Sequence, residues 1–430
     1  MLSVFTAAFT TPDLRRKLLF TIAMIAIFRL GSVVPTPGVD YQAVNRCFTA
    51  AGNTGIYGLI NLFSGGALLQ LSVFALGIMP YITASIILQL LTVVIPRLEA
   101  LKKEGQAGQA KITQYTRYLT IGLAVLQSAS FVTLARTGNL FPGCPEELIP
   151  NDSVWNLLTM IIIMTAGTGV VMWLGELITD RGVGNGMSVL IFTSIIATFP
   201  AALWSIRLET NVTTFLVVCA VGLAVIVGVV FVEQSQRRIP VQYAKRMVGR
   251  RMYGGSSTYI PLKINQAGII PVIFASSILY LPILLTILNP DASWSVWLQR
   301  AFGQTGDTAI YMVTYFLLVV FFTYFYVAIT FNPADVADNM KKYGGFIPGI
   351  RAGKPTEEYL DYVLSRLTAT GALYLGVIAL LPNIAVALLG VSANLPFGGT
   401  SILIMVGVGL ETVKQIDSQL QQRSYEGFLR

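Results

Sequence analysis

The 430-residue chain is 54 % hydrophobic and only 12 % charged, half the charged share of a typical soluble domain. That excludes an ordinary water-soluble fold and predicts a protein that crosses a bilayer many times. Its 29 basic and 21 acidic residues leave a net charge of +8 with no histidine, which removes the commonest metal ligand and general base. The three cysteines, Cys47, Cys144 and Cys219, have no CxxC spacing, so neither a zinc site, any other metal, nor a redox cofactor is expected.

Taken in order, Arg15, Arg16 and Lys17 precede a first apolar run, the pattern of an uncleaved span. Runs with the length and low charge of membrane spans lie near Leu18 to Val34, Leu71 to Ile95, Leu119 to Leu134, Val154 to Leu174 and Val183 to Trp204. Five more follow near Thr213 to Val232, Ala267 to Leu288, Ala309 to Phe331, Leu367 to Leu389 and Thr400 to Val413. With both termini on one side, that side holds 24 of the 29 basic residues, which makes it cytoplasmic. Ten spans divide into two sets of five. Because five is odd, the second set enters the membrane upside down, and such inverted halves place a functional path at their interface.

One stretch, Asn61 to Pro96, carries two textures. At 100° per residue Ile78, Ile82, Ser85, Gln89 and Thr92 fall within about 80° of one another. The first two are branched and apolar, the last three polar. Such a face suits a water-filled funnel narrowing to a dry throat; it equally suits a helix inside a bundle whose Ser, Gln and Thr bond to neighbours. Gly65 and Gly66, just ahead of it, permit a sharp break between a short helix and the long one.

Deep charges, which an ion-coupled carrier would need, are nearly missing. Glu176, Glu233 and Glu411 fall near cytoplasmic ends. Arg29 is the exception, and snorkelling or a structural pair is preferred there over a substrate role. Cys47 and Cys144 fall on outer loops, where free thiols are preferred over a disulfide; Cys219 reads as packing. An ion-coupled secondary transporter is the alternative function. An intramembrane protease is a weaker one, since Gly186-Met187-Ser188 has no base at depth.

Several long stretches identify a family. They include NLFSGGAL and ALGIMPYITASI within Asn61 to Ile86, KKEGQAGQAKITQYTRY from Lys102, and MWLGELITDRGVGNGMSVLIF from Met172. QRRIPVQYAKRMVGRRMYGG runs from Gln236, STYIPLKINQAGIIPVIFASSIL from Ser257, FNPADVADNMKKYGGFIPGIR from Phe331 and FGGTSILI from Phe397. In these the chain resembles SecY, the channel-forming subunit of the bacterial protein-conducting translocon.

The resemblance implies an all-α polytopic membrane protein: ten helices in two inverted, pseudo-symmetric halves, a clamshell around an hourglass pore. The halves would be 1–205 and 206–417, with cytoplasmic loops at about 233–265 and 332–366 and a cytoplasmic tail at 418–430. A plug at about 58–70 would include Asn61, Leu62, Phe63, Ser64, Gly65, Gly66, Ala67 and Leu68. Positions matching the constriction ring are Ile78, Ile82, Met187, Ile191, Ile273 and Ile404; Met187 departs from the more usual isoleucine. A throat that passes many sequences must bind none of them, and apolar side chains dewet it when idle.

A lateral gate would involve Gln89, Thr92, Gln127 and Asn265, with hydrogen bonds among them holding it shut. Arg237, Arg238, Lys245, Arg246, Arg250, Arg251 and Arg351 would meet the ribosome, through its RNA phosphates, or the SecA motor. Ala352 stands where the family often has proline. The plain alternative for these basic loops is a topology signal. Other implied partners are SecE, SecG, signal sequences, nascent polypeptides and anionic lipids. The implied location is the bacterial cytoplasmic membrane with both termini inside, and no enzyme activity is implied.

Overall fold

The computed structural model describes residues 9–51, 65–68, 70–136, 148–209, 211–243, 246–248, 251–253, 257–286, 292–302, 308–389 and 399–426. Each apolar run of the sequence contains a helix. In the first part of the chain these are α1 (Pro12–Val33), α2 (Tyr41–Ala51), α3 (Met79–Val94), α4 (Pro96–Lys103), α5 (Gln106–Arg136), α6 (Val154–Arg181) and α7 (Gly186–Glu209). The second part supplies α8 (Val212–Gln234), α9 (Ile270–Thr286), α10 (Ser293–Phe302), α11 (Ala309–Thr330), α12 (Pro333–Lys342), α13 (Lys354–Leu389) and α14 (Gly399–Glu426). Among the described residues, six helices are long and apolar enough to cross a membrane, or seven if α3 and α4 count as one bent span. The protein is therefore a multi-pass membrane protein.

Proline punctuates the helices where its chemistry requires. Pro12 and Pro80 sit in the first turns of α1 and α3, where a missing N–H costs nothing. Pro96 ends α3: Ile95 before it is extended at φ −98°, ψ 111°, as a residue preceding proline prefers. The chain then turns by 99° into α4.

The run expected from Leu71 does not begin as helix. Residues 65–68 and 70–78 form turns, and α3 starts only at Met79. A short two-stranded contact holds this segment to the end of α1. Thr36 N donates to Leu71 O at 3.0 Å and Val73 N to Val34 O at 2.9 Å. Gly65 and Gly66 lie in a turn ahead of α3, and the short helix expected before them falls outside the described residues. Both glycines have positive φ, +67° and +92°, a conformation available to them at no steric cost.

The two basic segments are not simple loops: they contain strands, which corrects the expectation of an all-α chain. Strand β1 (Gln236–Tyr243) pairs antiparallel with β4 (Ser257–Lys263), from Gln236↔Lys263 to Gln242↔Ser257. Between them β2 (Arg246–Val248) pairs with β3 (Arg251–Tyr253). Strand β5 (Gly345–Phe346), from the second segment, joins the other edge of β1. The alternation is strand-like: Ile239, Val241 and Leu262 point inward while their neighbours are exposed. These three pack with Met340, Ile347, Leu360 and Val363 in one small core, so both segments share a single small body.

Three larger apolar clusters organise the rest. One lies within the first part of the chain, around Leu68, Leu71, Phe131, Met160 and Met164. A second belongs mainly to α9, α11, α13 and α14. The third joins the two parts and is described below. Cys47 is disulfide-bonded, which corrects the preference for free outer thiols; Cys144 lies outside the described residues, and Cys219 is free.

Candidate functional site

The third cluster draws on six helices and the turn before α3. Phe28 comes from α1, Phe74 and Ile78 from the turn, and Val171, Leu174 and Ile178 from α6. Leu190, Ile191 and Ile195 come from α7, and Ile404 and Val408 from α14. Packed against them are Ile82 of α3, Met187 of α7 and Ile273 of α9. All six residues matched to a constriction ring therefore meet in one place, although they lie as far apart in sequence as Ile78 and Ile404. Ile78 is 2 % exposed and Ile404 1 %; Ile82, Met187 and Ile273 are half-buried. A cluster of branched aliphatics has no group with which to hold water or a passing peptide.

Met187 sits in a notch cut by glycine. A methyl at Gly175 of α6 would collide with Met187 Sδ, and one at Gly186 with the Gly175 carbonyl. The flexible thioether thus folds back against α6 instead of crossing the cluster freely. Gly175→Ala should destabilise the protein by about 1–3 kcal/mol through overpacking, read as a lower melting temperature, and Gly175→Ala with Met187→Ala should recover part of the loss.

The polar residues of α3 answer the question left by the sequence. Gln89 Nε2 lies 3.5 Å from Ser85 Oγ, and Thr92 Oγ1 donates to Gln89 O at 2.7 Å. These bonds stay within the helix, and Gln89 is exposed, so they do not tie α3 into a bundle. The α3 contact with α9 is made instead by an aliphatic stripe at helical spacing, Ile82, Ile86 and Leu90, packed in the cluster that includes Val272, Ala275 and Leu279.

The expected hydrogen-bonded cluster of Gln89, Thr92, Gln127 and Asn265 is not present among the described residues. Gln127 is half-buried on α5. Asn265, 2 % exposed, donates through Nδ2 to Glu233 Oε1 of α8 at 2.6 Å and to Gly268 O at 3.1 Å. A carboxylate is a stronger acceptor than a neutral amide or hydroxyl, and it captures Asn265 at the entrance to α9. The Asn265 Oδ1 is buried without a partner.

Of the plug residues, Asn61, Leu62, Phe63 and Ser64 lie outside the described residues. Gly65, Ala67 and Leu68 are buried. Arg29 Nη1 donates to the Gly65 carbonyl at 2.9 Å, so of the readings offered for this intramembrane cation the structural pair is the one found.

Known proteins share this layout. The family model for SecY matches residues 72–413. The protein translocase subunit SecY of Streptomyces scabiei is 66 % identical over 438 residues, covering all of both chains. This chain belongs to the SecY family. Members of the family are protein-conducting channels and not enzymes.

Three solved structures share the fold at low identity. A protein-conducting channel superposes with TM-score 0.63 and 18 % identity over 94 % of this chain and 91 % of its own. A SecY structure whose plug domain stabilises the closed state and maintains a membrane seal gives TM-score 0.61 at 18 % identity, with the same coverage. Canine Sec61 in a ribosome–channel complex gives 0.58 at 17 %, again with that coverage.

The basic residues of the two segments are distributed over this small sheet-containing body. Arg237 and Arg238 are exposed on β1, with the Arg238 guanidinium 4.9 Å from the centre of the Tyr259 ring. Arg246 and Arg251 lie on the paired strands β2 and β3, whereas Lys245 and Arg250 are outside the described residues. Arg351 is exposed in a turn between Gly349 and Gly353, both at positive φ. Its carbonyl accepts from Thr356 Oγ1 at 2.8 Å, which fixes the turn despite alanine at 352.

Proposed function

We propose that the chain is the pore subunit of a protein translocase. It conducts unfolded secretory polypeptides outward across the bacterial cytoplasmic membrane and releases apolar segments sideways into lipid. The observation that carries the reading is the aliphatic cluster in which Ile78, Ile82, Met187, Ile191, Ile273 and Ile404 converge from both parts of the chain. On this reading they form the waist of an hourglass between two inverted halves of five spans, 1–205 and 206–417. The cluster opens around a passing chain and closes behind it. Residues 61–68 form the plug above it, as the channel with a plug-maintained seal suggests.

The lateral exit lies along the α3–α9 seam. Its aliphatic stripe gives a signal sequence a like surface to displace, because apolar side chains gain as much from one another as from an entering apolar segment. The Asn265–Glu233 bond anchors the base of α9. Asn265→Leu should therefore loosen that base and let defective signal sequences be exported about tenfold better, the effect of losing one charged hydrogen bond. Export assays with paired good and defective signals read this, and unchanged discrimination would count against the anchor.

Energy comes from partners. Exposed Arg237, Arg238 and Arg351 face the cytoplasm and receive SecA or a ribosome, with the basic residues carried on β2 and β3 adding to the charge; canine Sec61 is one relative caught with a ribosome. SecE and SecG complete the assembly, anionic lipids neutralise the basic inner face, and both termini are cytoplasmic. Reconstitution with SecE, SecG, SecA and ATP tests the whole reading. Uptake of a signal-bearing precursor supports it. Uptake of a small ion or solute with no precursor transport would favour an ion-coupled carrier.

A further inference from the structure

We propose that two threonine hydroxyls, Thr21 of α1 and Thr179 of α6, set the idle width of the throat by seating the turn from which Met187 and Ile191 rise. This rests on the reading of the aliphatic cluster as a waist and names the residues that position one side of it.

The turn between α6 and α7 is Gly182-Val183-Gly184-Asn185. Gly184 stands at φ +88°, a conformation glycine adopts without strain. Four amides in and just after the turn are held. Gly182 N donates to Ile178 O at 2.8 Å and closes α6. Val183 N donates to Thr21 Oγ1 at 3.1 Å, across 162 positions of chain. Gly186 N donates to Thr179 Oγ1 at 2.9 Å, and Met187 N to Asn185 Oδ1 at 3.2 Å. The last two belong to the first turn of α7, where an N–H has no partner within the helix.

Each threonine hydroxyl is used twice. Thr21 Oγ1 donates to Lys17 O and Thr179 Oγ1 to Gly175 O, both at 2.9 Å. The single proton goes to the residue's own helix and a lone pair to the turn, so the hydroxyl is fixed in rotation. The fit is close. A Cβ at Gly182 would stand 2.6 Å from Thr21 Oγ1. Val183, 2 % exposed, packs with Leu14 and Leu18 of α1 and with Ile416 and Leu420 of α14.

The Thr179 bond leads straight to the throat. Its carbonyl partner, Gly175, is the floor of the notch that receives Met187. Gly175 and Thr179, four apart, share one face of α6, while Gly186 and Met187 are consecutive on α7. The amide and the thioether therefore dock at two points on one stripe of α6, which fixes the start of α7 in height and rotation. Ile191, one turn beyond Met187 and on the same face, is buried in the aliphatic cluster. Without either hydroxyl the start of α7 lifts from its seat, and both ring residues move with it. The threonines are positioning residues, acting through Met187 and Ile191.

The test pairs ion conductance of the idle, fully assembled channel in planar bilayers with the methyl NMR resonance of Met187 in methionine-labelled protein, assigned by its loss in M187L. Thr179 is exposed, so T179V alters its bonds and little else. It should raise conductance about threefold to tenfold, the range for one lost neutral hydrogen bond, and shift the Met187 resonance. T21V should do the same, and T21V/T179V should exceed either. T179S and T21S keep the hydroxyl and should match wild type in both readings, a rescue that a merely space-filling role would not give. I404N is the control for the waist. If I404N leaks while T179V seals like wild type, or T179V leaks with the Met187 resonance unmoved, the positioning role is wrong and the waist stands; a leak from T179S equal to that of T179V also overturns it. If I404N itself seals, the waist reading falls and takes the positioning role with it. Should T21V fail to assemble, because the Val183 N–H is left buried and unpaired, T179V decides alone.

Discussion

Replacing Ile191 or Ile404 with asparagine should open the idle channel to ions. Both side chains are buried in the cluster that joins the two parts of the chain, at 5 % and 1 % exposure. An amide there retains water and abolishes dewetting, so conductance should rise by about an order of magnitude or more. The same change buries an unpaired polar group at a cost of about 1–3 kcal/mol, which shows as a lower melting temperature. Ile→Val at these positions removes one methyl for about 0.5–1.5 kcal/mol and should leave the seal intact. Leu216→Ala, on an exposed face of α8, serves as the control. Voltage-clamped bilayers separate these outcomes, and an asparagine variant as tight as wild type would contradict the role given to the cluster.

Charge reversal at Arg351 should block motor-driven export. The residue is exposed on a turn whose shape is set by Gly349, Gly353 and the Thr356 bond to its carbonyl, so the substitution alters charge without disturbing the fold. Turning an attractive contact repulsive costs about 2–5 kcal/mol, and SecA-dependent precursor transport should fall about thirtyfold or more. Removing Arg237 and Arg238 together should instead weaken ribosome binding and flatten its dependence on salt by about one logarithmic unit for each phosphate left unneutralised. Binding at two salt concentrations checks the second effect, and vesicle import the first. Export at the wild-type rate by Arg351→Glu would remove Arg351 from the motor interface.

The spans and the ring are legible for different reasons. Apolar runs announce themselves by composition: each of the ten contains a helix, and among the described residues six, or seven with the bent pair, are long and apolar enough to cross a membrane. Individual ring residues do not, because Ile273 or Ile404 taken alone is an ordinary packing residue; only the family resemblance selects them, and only folding brings Ile78 beside Ile404. The sheet escapes a reading that weighs the basic stretch for charge rather than alternation. The alternations Ile239–Pro240–Val241 and Ile260–Pro261–Leu262, on the paired strands β1 and β4, carry a strand signal that Arg237 and Arg238 obscure.

Asn265 misleads in another way. Its place at the entrance to the seventh apolar run is visible in the sequence, but its partner is not, since Glu233 lies 32 positions upstream and reads there as a residue at the end of another run. Arg29 stands out as an anomaly of depth, yet sequence alone offers no means of finding a backbone carbonyl as its partner. The start of α3 is hidden for a related reason: hydropathy runs unbroken from Leu71, while the turn is imposed by contacts with residues 34–36.

Under the proposed function, a single aliphatic waist built from both parts of the chain surrounds the polypeptide in transit. A precursor stalled midway, in channels carrying a photoreactive residue at Ile78, Ile191, Ile273 or Ile404, tests it directly. Strong cross-links from all four positions, with none from exposed Leu216 or Leu223 on α8, are expected. Cross-linking confined to one part of the chain, or as strong from α8 as from the ring, would contradict it.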